Sequence, residues 1–177
     1  MKVWLIGLLV LGLLWGPLAF TRAMDDDLAS FPECTYCGMK RKAFAHSRMM
    51  VYHGNGESVG VCSLNCAVID YVRDVDDSPG SLKVGDYGTK KLIDADRAYW
   101  VLGGDLPGVM TNRAKWAFED KSAALLFIKR HGGELISFEE AVKTSYVDIF
   151  EDMRRLKVLK REYSRVRHPE TARSRIE

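Results

Sequence analysis

The chain has 177 residues, 47% of them hydrophobic, enough for one domain or for two small lobes sharing a core. Its 26 Lys and Arg nearly balance 24 Asp and Glu, and nothing in so even a total points to a nucleic-acid partner. Four cysteines in so short a chain point first to disulfides or to metal.

Residues 1–23 read as an export signal. Lys2 gives the positive start, Val3 to Phe20 is an apolar run, Gly16-Pro17 lies near its end, and Thr21-Arg22-Ala23 offers small residues where a peptidase cleaves. The run of 18 residues also meets the lower limit for a membrane span, so an uncleaved anchor is the alternative. No cysteine stands near the cleavage point to accept a lipid. Loss of Lys2 and Arg22 leaves 24 basic and 24 acidic residues. Export implies a periplasmic or other extracytoplasmic location. Thiols there ordinarily pair, so two disulfides are the competing account of the cysteines.

Met24 to Phe31 is acidic and loop-like, and Cys34 to Lys42 is a turn-rich knuckle containing Gly38 and three successive basic residues. Phe44 to Tyr52 reads as a strand, Gly54-Asn55-Gly56 as a hairpin turn, and Ser58 to Cys62 as the returning strand. Ser63 then caps a helix carrying Ala67, Val68, Tyr71 and Val72. Asp76 to Gly80 breaks the pattern as a linker.

Beyond it, Gly85 to Ile93 and Ala98 to Leu102 are strand-like, with Gly103-Gly104 and the turn Asp105-Leu106-Pro107-Gly108 following. Lys115 to Phe118 is another strand; Asp120 caps a helix that His131-Gly132-Gly133 closes. Strand, Gly-rich turn, strand and helix thus occur twice, around 44–73 and 97–131. Ser137 and Glu140 have capping-box spacing. Val142, Tyr146, Ile149, Phe150, Met153 and Leu156 keep helical period after them. This helix is expected to pack for one or two turns and then project as a charged rod. Residues 153–177 hold nine Lys and Arg against three Glu. That is a solvated basic face or, as a sharper alternative, a surface for an acidic partner. The class is α+β: two small ββα-type lobes over 24–80 and 81–136, with a C-terminal helix and basic tail over 137–177.

The chemistry lies in the cysteines. Cys34 and Cys37 are spaced C-x2-C, Cys62 and Cys66 C-x3-C, and Met39 adds a thioether two residues after Cys37. A tight turn brings the first two sulfurs to one point, and a helix start does the same for the second pair. Two thiolate pairs with a thioether suit Cu(I); four thiolates alone suit a structural tetrahedral zinc. His46 and His53, flanking the hairpin, are further candidate ligands. Met110 is a more distant one, and His131 and His168 promise nothing. Cys-Thr-Tyr-Cys also has the spacing of a thioredoxin-like redox pair, but Pro32 before it and Gly38 after it do not start a helix.

Cys34-Thr-Tyr-Cys-Gly-Met39 and Cys62-Ser-Leu-Asn-Cys-Ala67 resemble the NosL family of nitrous oxide reductase accessory proteins. So do Ala98 to Gly104, Pro107, Met110, Ala117-Phe118, Gly132-Gly133-Glu134 and Phe138 to Ala141. The cysteine spacing is also similar to that of TRASH metal-sensing modules. The resemblance implies a non-enzymatic periplasmic Cu(I) chaperone with a two-lobed fold like that of organomercurial lyase. Its partner would be a client copper enzyme or its assembly machinery. The family's copper-binding Cys and Met fall on Cys37 and Met39. The chain departs from the family in lacking a lipid-accepting cysteine and in having Cys62 and Cys66, which leaves metal sensing or a different client as alternatives.

Overall fold

A computed structural model describes residues 26–73 and 79–167. The expected signal, most of the 76–80 linker and His168 lie outside the described residues. The elements are α1 (Asp26–Ser30), β1 (Met49–His53), β2 (Ser58–Val61), α2 (Leu64–Arg73), β3 (Pro79–Gly85), β4 (Leu92–Asp94), β5 (Tyr99–Leu102), β6 (Lys115–Phe118), α3 (Lys121–His131), β7 (Glu134–Ile136) and α4 (Phe138–Arg167). They form two antiparallel sheets, ordered β2-β1-β3-β4 and β6-β5-β7, an α+β architecture.

Each sheet is built around its first strand. β1 pairs with β2 through the hairpin and then with β3, which returns after α2. β5 likewise pairs with β6 and, after α3, with β7. The repeated unit is therefore ββαβ, one strand longer than the sequence suggests. β7 escapes a sequence reading because its three residues are too few to show a period. The hairpin turn stands where Gly54-Asn55-Gly56 predicts, with Gly56 at φ 91°.

Five other expectations change. Asp26 to Ser30, read as part of a loop, forms the short helix α1. Phe44 to Ser47 is a turn, not the start of β1: the amides of Phe44, Ser47 and Arg48 bond to carbonyls three or four residues back. Gly85 to Ile93 is the end of β3, a turn and the start of β4, because Asp86 folds the chain on itself. Its carboxylate accepts from the Thr89 N–H at 2.6 Å and its carbonyl from the Lys90 N–H at 2.9 Å. β3 and β4 both join the first sheet, so residues 79–94, which the sequence assigns to the second lobe from residue 81, extend the first. Finally, α4 packs further than two turns. Ala141, Ser145 and Asp148 are buried along it, and Asn112 Nδ2 reaches Asp152 at 2.5 Å.

The first core gathers Met49, Val51, Val61, Val68, Val84 and Trp100, and it includes Cys34, Cys62 and Cys66. The second gathers Val101, Trp116, Phe118 and Phe127. Arg41, wholly buried, ties the entry of the chain to the first sheet. It donates to the carbonyls of Asp27, Phe31, Val61 and Met49 and to the Asp27 carboxylate at 3.0 Å. Arg48 holds the same carboxylate at 2.8 and 2.9 Å. Among the described residues no helix is long and apolar enough to cross a membrane.

Candidate metal centre

The knuckle is closed by its own backbone. Cys34 N–H donates to Met39 C=O at 2.8 Å, Gly38 N–H to Cys34 C=O at 2.9 Å, and Gly38 takes φ 73°, which its missing Cβ makes easy. Thr35 fastens the loop to β2, through N–H and hydroxyl bonds to the Gly60 carbonyl. Gly60 is needed there, since a Cβ would lie 2.4 Å from the Phe31 side chain. On the opposite side Cys62 follows β2 directly and Cys66 stands in the first turn of α2.

The four sulfurs converge, all lying within 4.8 Å of one another. Cys37 Sγ is 3.5 Å from Cys62 Sγ, which is 3.7 Å from Cys66 Sγ. Sulfurs arranged tetrahedrally around one ion at about 2.3 Å stand about 3.8 Å apart, so the spacing fits a single thiophilic ion. All four are free thiols, with Cys34, Cys62 and Cys66 buried and Cys37 half-buried.

Their protons are shared unequally. Hydrogen bonds from Cys62 and Cys66 hold the Cys34 thiol far below the ordinary thiol range, with backbone N–H groups of Cys37 and Tyr36 adding to them against the effect of burial. Cys62 and Cys66 are pushed up, chiefly by hydrogen bonding to Cys34 and further by burial. A soft cation entering such a cluster would bind thiolates and displace their protons.

The NosL family model matches residues 23–147. The chain belongs to the NosL family. Among solved structures, the copper chaperone NosL from Shewanella denitrificans matches at 23% identity and a TM-score of 0.49, over 61% of this chain and 87% of that one. No curated protein matches.

The other candidate ligands of this NosL chain have surroundings of their own. Met39 is half-buried against the first core and gives its carbonyl to Cys34. His46 lies instead in an aromatic group, its ring centroid 5.7 Å from Trp116 and 6.0 Å from Tyr87. There burial, then Lys90, pushes it below the usual imidazole range. His131 pairs with Asp105 at 2.9 Å. Of the two adjacent strand methionines, Met49 enters the first core while Met50 offers its sulfur to Arg41, as alternation along a strand requires. Met110 is exposed at φ 61°, and its carbonyl accepts from Asn65 Nδ2 at 3.1 Å, so a second-lobe loop is held against the residue before Cys66.

Sequence reasoning missed a group beside the cluster. Tyr36, between the two knuckle cysteines, donates its hydroxyl to Asp70 Oδ1. His53 Nε2 lies 2.8 Å from Asp70 Oδ2, off the line of a good hydrogen bond, and His53 Nδ1 is a buried nitrogen with no hydrogen-bond partner. His53 stands out in the sequence as a candidate beside the hairpin, and the signal for Asp70 is that it stands four residues after Cys66, on the same face of a helix.

Proposed function

We propose that this NosL protein is a Cu(I)-binding chaperone, exported to the periplasm, that carries copper for the maturation of an enzyme such as nitrous oxide reductase. The observation that carries the reading is the cluster itself. Four free thiols meet at one point, three buried and one, Cys37, half-buried at the rim. Soft thiolates select Cu(I), and Met39 supplies a soft thioether in the same knuckle. Cu(I) is cargo here, not a catalytic group. It leaves by ligand exchange, an incoming donor from the client replacing sulfurs one at a time, with Cys37 the first to be reached.

Protein purified anaerobically is expected to hold one Cu(I) per chain and to show four titratable thiols after its removal. Cys37→Ser is expected to weaken Cu(I) binding about 100-fold, or about 2.7 kcal/mol, in chelator competition, with an unchanged circular dichroism spectrum. Full affinity in that variant would sink the assignment.

The sulfur spacing favours a second reading, a structural zinc site in a metal-sensing or binding module. In that case the purified protein holds zinc, copper binds no better, and loss of any one cysteine unfolds the first lobe.

A further inference from the structure

We propose that Asp70 is a positioning residue for the rim thiol Cys37, acting through Tyr36. The inference rests on the metal-carrying reading of the cluster and adds a control on the release of its cargo.

Three of the four sulfurs need no such device. Cys62 and Cys66 belong to the end of β2 and the first turn of α2, and Cys34 is buried with both its N–H and its C=O bonded within the knuckle. Cys37 differs. It is half-buried, and it sits between Tyr36 and a left-handed Gly38, beyond the point where Thr35 fastens the loop to β2. The Tyr36 hydroxyl bond to Asp70 fixes this stretch to the helix. Asp70 stands one turn after Cys66 on α2, so the helix that carries one sulfur also sets the place of the opposite one.

The burial of Asp70 is the reason to assign it a task. A carboxylate that is 5% exposed is unfavourable unless its bonds are required. Here one oxygen takes the Tyr36 phenol, while the other lies 2.8 Å from His53 Nε2 without forming a hydrogen bond. The Tyr36 bond is therefore what the burial of this carboxylate serves. While the latch is shut, Cys37 lies 3.5 Å from Cys62 and completes the cluster. When Tyr36 swings away, Cys37 leaves with it, and the cation keeps only the three buried donors and an open face. The latch therefore governs how fast copper is surrendered more than how firmly the buried sulfurs hold it.

The test uses Asp70→Asn and Tyr36→Phe in the full chain, with two readouts. In metal-free protein, pulsed iodoacetamide alkylation followed by peptide mass spectrometry is expected to show Cys37 reacting about tenfold faster in both variants. Cys34, Cys62 and Cys66 are expected to react at the wild-type rate. In copper-loaded protein, transfer of Cu(I) to bathocuproine disulfonate is expected to accelerate about tenfold, with a smaller change in equilibrium affinity. Tyr36→Phe removes a single oxygen and decides the matter if Asp70→Asn fails to fold. Equal acceleration at all four cysteines would overturn the proposal, since it reports general loosening. Wild-type Cys37 reactivity in Tyr36→Phe would overturn it as well. Alkylation needs no metal, so selective exposure of Cys37 in a protein that binds no copper would uphold the latch and refute the chaperone reading.

Discussion

Asp27 shows how much one side chain holds. Its carboxylate serves two guanidiniums, those of Arg41 and Arg48, whose side chains are almost wholly removed from water. Burial pulls the Arg41 pKa down, and Asp27 is the main influence restoring it. Breaking a buried pair by removing one partner strands the other charge, at about 3–5 kcal/mol. Asp27→Asn is therefore expected to lower the unfolding free energy by about that amount, measured as a fall in the urea midpoint. The same residues mark where sequence reasoning ends. The cysteines were legible because each pair meets locally, in a turn or in the first turn of a helix. Arg41 lies among Lys40 and Lys42 as if in a surface run, and its partner Asp27 is 14 residues away. Tyr36 and Asp70 are 34 apart. No local period reports contacts of that range.

At the scale of elements, α4 and the β3–β4 turn make a useful contrast. The capping box at Ser137 and Glu140 forms as read: Glu140 N–H donates to Ser137 Oγ at 3.1 Å, and Ser137 N–H donates to the Glu140 carboxylate at 2.9 Å. Both partners lie within one turn, so the pattern is visible in the chain. The turn after β3 depends instead on Asp86, which also accepts the Glu119 N–H from the second lobe at 2.9 Å. Burial works against the charge of Asp86, yet the N–H groups of Thr89 and Glu119 and the Thr89 hydroxyl hold its carboxyl below the usual range. Its folded pKa thus lies below the unfolded value of 3.8. The stabilisation is complete above that value and is lost as the pH falls through the folded pKa. Asp86→Asn is expected to melt below wild type at neutral pH, and the difference between the two melting temperatures is expected to close below about pH 4. A gap independent of pH would remove the carboxylate from the account.

Over the whole molecule, two ββαβ units are locked together by polar groups as well as by core. Asp148 on α4 takes the ammonium of Lys115 on β6, while Arg113 Nε donates to it at 2.7 Å. Lys115 Nζ also reaches Asn65 on α2 at 3.5 Å. Burial lowers the Lys115 pKa and Asp148 opposes that shift, so the cation depends on its partner. Asp148→Asn is expected to cost about 3 kcal/mol in urea unfolding. A loss under 1 kcal/mol would mean that the cores alone join the lobes. The entry of the chain has a consequence of its own. One guanidinium, that of Arg41, touches both Asp27 and the carbonyl of Val61, the residue before Cys62. α1, which carries Asp27, is thereby leashed at the cysteine-bearing end of the protein. Any force on α1 is felt first at the strand end that carries Cys62, so the entry of the chain and the mouth of the cluster move as one.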